Sequence, residues 1–169
     1  MNDAETRLEI LPLEGDRRDW ARTLIRERWG SALVVTRGRV HDTSRLPGFV
    51  AVSGGQVSSG QAVGLATYHL ADGECELVSL DSLCEGLGIG TALVRAVERA
   101  ARAAGSKRLW LITTNDNVAA VRFYQKRGFH IAAIHLDAME ESRRLKPEIP
   151  LEGIDGIPIT DEIELELTL

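Results

Sequence analysis

The sequence predicts a mixed α/β domain with elements in the order β-α-β-β-β-α-β-α-β-(α)-β. Three observations carry that expectation. Between Phe49 and Leu83 lie three strand-length apolar runs separated by turn residues. An alanine-rich stripe at helical spacing then runs from Gly90 to Ala104 and stops at Gly105. Near the end, Glu162-Ile163-Glu164-Leu165-Glu166-Leu167 alternates strictly, as a strand with one wet face does. The chain has 169 residues, 44% hydrophobic and 27% charged, which suits one domain with a real core.

In order, Arg7 to Leu13 alternates like a strand and ends at a turn. Asp16 to Trp29 places Trp20, Leu24, Ile25 and Trp29 at helical spacing. Leu33-Val34-Val35 is a short apolar run, and the polar, basic stretch from Thr36 to Pro47 reads as a loop. Phe49 to Val52 is a strand ending at Ser53-Gly54-Gly55. Ala62–Leu70 and Glu74–Leu83 are strands joined by a tight turn at Ala71-Asp72-Gly73, so an antiparallel meander is expected. After the glycine-closed helix, Leu109–Thr113 is a strand. Asn115-Asp116-Asn117 then supplies cap residues for a helix running to Lys126 and ended by Gly128. Phe129–Leu136 is a strand and Asp137–Leu145 a short helix.

Composition excludes several classes. No apolar run approaches the roughly 20 residues of a membrane span. Met1-Asn2-Asp3-Ala4-Glu5 lacks the basic start and apolar segment of a signal peptide, so a cytoplasmic location is expected. The net charge of -5 argues against nucleic acid as a partner. Cys75 and Cys84 show no metal-ligand spacing, no metal site is expected, and both read as reduced thiols. The charge is polarised, with arginines crowding the first 45 residues and acids collecting after Glu148. Those tail acids read as solubilising an edge strand.

The segment Glu85-Gly86-Leu87-Gly88-Ile89-Gly90-Thr91 lies between a strand and a helix. Its glycines permit positive φ and close approach of backbone to a ligand. The helix's first N–H groups lack intrahelical partners and sit at the positive end of its dipole. Together these make an anion site, suited to a phosphate or pyrophosphate. A P-loop would end in Gly-Lys-Ser/Thr, and a dinucleotide fingerprint would read Gly-x-Gly-x-x-Gly; neither spacing is present.

Downstream stands Asn117-Val118-Ala119-Ala120-Val121-Arg122-Phe123-Tyr124-Gln125-Lys126-Arg127-Gly128-Phe129. With the glycine loop, this resembles the GNAT superfamily of N-acetyltransferases. Glu85, Gly88 and Gly90 occupy that family's Gln/Arg-x-x-Gly-x-Gly/Ala pattern. Asn117, Ala120, Phe123, Tyr124, Gly128 and Phe129 fill its second, Asn-x-x-Ala-x-x-Phe-Tyr-x-x-x-Gly-Phe. The resemblance implies a single GNAT-like domain over 1–169, with a core of about 5–136 and a C-terminal extension at 137–169 that carries the final strand.

It further implies acetyl-CoA as co-substrate and an amine as acceptor. The backbone from Glu85 through Thr91 (Gly86, Leu87, Gly88, Ile89 and Gly90 between them) would cradle the CoA pyrophosphate. The backbone at Leu80 and Ser82 would hold the pantetheine arm, and an amide at Leu80 would face the thioester oxygen. Asn117 would bond the CoA arm, and Tyr124 would contact CoA and protonate the departing thiolate. Glu85 departs from the family's usual Gln or Arg, so phosphate binding would rest on backbone amides, with help from Arg122, Lys126 or Arg127.

The general base stays open among Glu74, Glu76, Asp81, His69, His41 and water, with Glu76 favoured. Arg37-Gly38-Arg39-Val40-His41 falls where the family places its variable acceptor loop; Arg37, Arg39 and His41 could grip an anionic group on the acceptor. The expected acceptor is a small-molecule amine. A protein amine, a non-catalytic acyl-CoA-binding module and a homodimer are carried as alternatives.

Overall fold

The computed structural model describes residues 8–54 and 60–169, so Arg7 and Gly55 of the expected elements lie outside the described residues. Strands β1 (Leu8–Pro12), β4 (Gly48–Ser53), β5 (Gln61–Ala71), β6 (Glu74–Ser82), β7 (Arg108–Thr114), β8 (His130–His135) and β9 (Glu162–Thr168) form a seven-stranded sheet in the order β1-β4-β5-β6-β7-β9-β8. Strands β2 (Leu33–Thr36) and β3 (Arg39–Asp42) form a separate hairpin. The helices are α1 (Asp16–Trp29), α2 (Ile89–Ala103), α3 (Val118–Gln125) and α4 (Ala138–Leu145). The expected mixed sheet and antiparallel meander are both present.

Local chemistry explains the turns. Asp72 and Gly73 take φ of 54° and 74°, the paired positive values of the tight hairpin turn joining β5 to β6. Arg37 and Gly38 do the same at 49° and 70°, closing the β2–β3 hairpin. That hairpin corrects the expectation of a loop over Thr36–Pro47. Its polar, basic residues mask a strand that pairs Thr36 with Arg39 and Val34 with His41.

The sheet has two unlike faces. On one, α2 lays Leu93, Val94, Val97 and Ala101 against Ala66, Cys75, Leu77 and Leu109. Burial, and secondarily the charge of Glu76, push the Cys75 thiol up to about 12. The other face carries α1, whose Ala21, Leu24 and Ile25 pack on Val50, Val52 and Leu65, and the hairpin, whose Val34 meets Val78. Gly64 lets α2 sit tightly on β5: an added Cβ would meet Ile89 at 2.5 Å, Leu93 at 3.0 Å and the Asp81 carbonyl at 3.1 Å. Gly64→Ala is therefore expected to lose about 1–3 kcal/mol by overpacking, read as a lower denaturant midpoint at unchanged slope.

A second correction concerns the tail. Strand β9 is not an edge; it inserts between β7 and β8. Its acids find partners far away in sequence. Arg108 bridges Glu74 at 3.0 Å, Glu164 at 2.8 Å and Glu166 at 2.5 Å, while His135 reaches Glu164 at 2.9 Å and His130 reaches Glu166 at 3.1 Å. Burial alone would raise the Glu164 carboxyl; the bonds from His135 and Arg108 outweigh it and hold it below its ordinary value. Between α4 and β9 the chain is clamped by the residues before α3. Asn115 Oδ1 accepts from Thr160 and Asp161 N–H, its Nδ2 donates to Pro158 O at 2.9 Å, and Asp116 Oδ2 accepts from Ile154 N–H at 3.0 Å. Of the expected cap residues, Asn117 caps α3 and the other two hold the tail. Among the described residues, no helix is long and apolar enough to cross a membrane.

Candidate active site

Strands β6 and β7 run parallel, but their pairing covers only Cys75 with Leu109 and Glu76 with Trp110. Beyond those pairs the strands part, and β9 takes the far side of β7. The β5–β6 register slips at Val78, a bulge that bends β6 where the fork opens. Leu83 N–H bonds back to Val63 O across β5. Strand alternation then turns the N–H groups of Leu80 and Ser82 toward the parted side.

The glycine loop continues directly from the β6 arm. Gly86 and Gly88 adopt φ of 77° and 70°. Gly88 is the N-cap of α2 and, like every glycine, offers no side chain to the cap; Ala92 N–H is bonded to Gly88 O at 2.9 Å. The N–H groups of Ile89, Gly90 and Thr91 precede that first turn bond, so the helix end presents donors to a cleft of about 480 Å³. Ser82, Glu85, Gly86, Gly88, Ile89, Gly90 and Thr91 all line it. Glu85 and Leu87 are exposed at its edge, so the Glu85 carboxylate is solvated. Gly90 is required because Phe123 fills the space a Cβ would take, at 3.1 Å.

Arg127 supplies the charge that Glu85 does not. Its guanidinium stacks on the Phe123 ring at 3.4 Å and donates to Thr91 Oγ1 through Nε at 2.9 Å and Nη2 at 2.5 Å. It lies beside the loop, as one of the three basic residues considered from sequence.

Tyr124 is buried, edge-on to Phe123 at 5.0 Å and to Phe129 at 5.4 Å. Burial first, and the charge of Asp81 second, raise its phenol well above the ordinary value; Arg127 pulls the other way. Asn117 Oδ1 accepts from Ala120 N–H at 3.1 Å and so caps α3.

On the opposite face of the fork, Glu76 is 3% exposed. Its Oε1 accepts the Thr36 hydroxyl, and its Oε2 lies 3.1 Å from His41 Nε2. His41 is buried too, with its ring edge-on to His69 at 5.3 Å. A cleft of about 190 Å³ opens beside this group, lined by Glu76, His69, Arg37 and Arg39 among others. Arg37 is engaged elsewhere: its backbone N–H and its guanidinium both bond the buried Glu162, at 3.2 Å and 3.5 Å. Glu74 is tied to Arg108. Thus the structure brings His41 to Glu76, ties Arg37 to Glu162 and leaves both Arg37 and Arg39 exposed at the expected acceptor loop.

Asp81, one of the open alternatives, gains a partner that spacing did not reveal. Trp29 Nε1 donates to its Oδ2 at 3.1 Å. Burial pushes the Asp81 carboxyl above its ordinary value, against that bond and the charge of Arg28. Asp81 and Ser82 are neighbours on β6, yet Ser82 lines the glycine cleft while Asp81 faces Trp29 on α1. Among the described residues no group of three His, Cys, Asp or Glu is placed to hold a metal.

A glycine-lined helix start beside a forked parallel pair, on a mixed α/β sheet, makes a site for an extended ligand with an anionic end. Residues 14–129 match the Acetyltransferase (GNAT) family, and the chain belongs to it. It is similar to the uncharacterized protein YdhI of Bacillus subtilis (strain 168), 46% identical over 137 residues that make up 81% of this chain and 83% of that protein. It is also similar to the uncharacterized protein YxbD of the same organism, 39% identical over 158 residues, 94% of this chain and 97% of that one. In fold it resembles a GNAT family acetyltransferase from Elizabethkingia anophelis with acetyl-CoA bound, at a TM-score of 0.65 and 21% identity, covering 96% of this chain and 98% of that one.

Proposed function

We propose that the protein transfers an acetyl group from acetyl-CoA to a primary amine of a small molecule. The observation that carries this reading is the fork itself. Donor-facing backbone opens on one face, buried carboxylates stand on the other, and the strands between them are parted. Acetyl-CoA supplies the acyl group as a thioester. The N–H groups at the start of α2 and the cation of Arg127 would hold its pyrophosphate. The parted edge at Leu80 and Ser82 would take the pantetheine arm, with the Leu80 N–H toward the thioester oxygen. Asn117, whose Oδ1 is occupied by the α3 cap, would offer its amide N–H group to the same arm.

The attacking amine must lose a proton, and we assign Glu76 as the group that receives it, directly or through water. Thr36 and His41 fix the Glu76 carboxylate, and His69 connects that pair to the solvent cleft. Tyr124 donates to the departing sulfur. Holding amine and thioester together supplies much of the rate.

Thiol release from acetyl-CoA across an amine panel tests the reading; release that never depends on amine would overturn it in favour of a binding module. Glu76→Gln is expected to lower kcat about 100-fold near pH 7. The deficit should shrink toward pH 10, where the amine arrives already neutral. A deficit that stays constant with pH would remove Glu76 from the proton-accepting role.

A further inference from the structure

The β2–β3 hairpin carries the two side chains that fix Glu76, yet among the described residues it pairs with no strand of the seven-stranded sheet. Two strands of four residues each are marginal on their own, so other contacts must set where the hairpin sits. Its buried apolar anchorage is small, with Val34 meeting Leu46 and Val78. A cavity of about 420 Å³ beside the fork is lined by Val34 and Val35 from the hairpin and by Ile149 and Pro150 from the C-terminal segment, so that side of the hairpin is only partly packed. The placement of Thr36 and His41 against Glu76 therefore depends on polar anchors.

Those anchors come from the C-terminal segment. At the base of the hairpin, the buried Lys146 donates to Leu33 O at 2.9 Å and to Trp29 O at 2.8 Å. At its tip stands Glu162, the first residue of β9, 1% exposed. Glu162 Oε2 accepts the Arg37 N–H at 3.2 Å and the Arg37 guanidinium at 3.5 Å, and its Oε1 accepts the Ser142 hydroxyl of α4 at 3.2 Å. Glu164 and Glu166 on the same strand find their partners within the sheet, on β7 and β8. Glu162 reaches out of the sheet instead. Burying a carboxylate is costly, and an apolar side chain would avoid that cost. What the carboxylate provides is direction, because it takes one N–H at one turn residue. Arg37 directly follows Thr36, whose hydroxyl donates to Glu76. Two buried carboxylates, from β6 and β9, thus grip consecutive residues of one turn.

We propose that Glu162 is a positioning residue for proton transfer: by holding the Arg37 N–H it sets the Thr36 hydroxyl and the His41 ring against Glu76. The inference rests on the assignment of Glu76 as proton acceptor above. Without this anchor the hairpin tip is free to lift, and Glu76 loses the two partners that fix its carboxylate. The acetyl-CoA side is untouched, because none of the residues lining the glycine cleft belongs to the hairpin, α4 or β9.

Glu162→Leu removes both acceptor oxygens and is expected to lower kcat about 10-fold near pH 7, while the KM for acetyl-CoA stays unchanged. Glu162→Gln can still accept the Arg37 N–H through its amide oxygen and donate to Ser142 Oγ, so it should stay within about twofold of the wild type. If Glu162 acts through Glu76, the loss disappears where Glu76 is already gone. In a Glu76→Gln background the leucine substitution should lower kcat by less than about twofold. Equal losses in both backgrounds would give Glu162 a merely structural role and overturn the proposal. Amide hydrogen exchange, read without substrate, follows the anchor itself. The Arg37 N–H should lose protection in Glu162→Leu while the amides of β5 and α2 keep theirs. Unchanged protection at Arg37 would overturn the proposal, as would lost protection with kcat unchanged. Ser142→Ala covers the case of a misfolded leucine variant: it takes one donor from Glu162 and should lower kcat about threefold, again only where Glu76 is present. No loss there counts against the anchor. A Glu76→Gln enzyme at the wild-type rate would overturn the assignment of Glu76 itself, whereas a slow Glu76→Gln enzyme beside a full-speed Glu162→Leu would overturn the positioning role alone.

Discussion

Gly88→Glu is expected to abolish the rise in melting temperature that acetyl-CoA produces. Ligand at about 100 times its dissociation constant stabilises a protein by about 2.7 kcal/mol. For a chain of this length that is a shift of about 5–10 °C. Gly88 caps α2 at φ 70°, with nothing within 4 Å of a built Cβ, so a side chain there fits but is strained. The strain of about 1–2 kcal/mol lowers the ligand-free midpoint by a few degrees in either substitution. Gly88→Ala separates the two effects, because it carries the strain without the charge. The carboxylate of Gly88→Glu would point into the cleft where a pyrophosphate meets the helix N-terminus, and repulsion there removes the binding. Gly88→Ala should retain much of the shift. Equal shifts in the wild type and the glutamate variant would show that the pyrophosphate does not sit on this loop.

The parts of the site that could be read from sequence are those built by neighbours in the chain. Gly86, Gly88 and Gly90 reveal a loop because positive φ and close approach are local demands. Asn117 to Phe129 is legible because cap, aromatic pair and terminating glycine fall on one short helix. The hairpin of Thr36 and His41 is hidden in the sequence because its second strand, Arg39–Asp42, is polar and basic, although Arg37-Gly38 closes it as Asp72-Gly73 closes β5–β6. Those two side chains reach Glu76 from 40 and 35 positions away, a distance at which spacing carries no signal. The position of β9 is illegible in the sequence for the same reason. Alternating Glu and Leu signals a strand with a charged face, whereas Arg108, His130 and His135, which bond that face, come from two other strands. A strand's rank in a sheet depends on partners, and here the partners make an acidic strand internal.

That internal strand also explains why the C-terminal segment bears on function. Between α4 and β9 the chain runs under two restraints, Lys146 at one end and Asn115 with Asp116 at the other. The residues between them line the cavity beside the fork. Asn115 and Asp116 directly precede Asn117, so the same short stretch that caps α3 near the glycine cleft also fixes the opposite wall.

Tyr124→Phe should lower kcat about 10- to 100-fold while leaving acetyl-CoA affinity within about twofold. The phenol ring fills a pocket between Phe123 and Phe129, and phenylalanine keeps that packing, so the fold and the donor site should survive. What disappears is a proton donor on a buried side chain. Because burial and the nearby Asp81 raise the phenol well above its ordinary value, it remains protonated throughout the working range. The wild-type rate should therefore show no alkaline fall from loss of this proton below about pH 10. The same shift makes complete transfer to a thiolate, whose ordinary value is near 8.5, uphill by more than about 2 kcal/mol. The hydroxyl is then most effective as a hydrogen-bond donor that stabilises the leaving sulfur, with the proton completing its transfer as CoA departs. An acetyl thioester with a more acidic thiol should lose less in Tyr124→Phe than acetyl-CoA does, since its sulfur leaves with less help. Equal losses for both donors would remove Tyr124 from the leaving-group role and return it to packing.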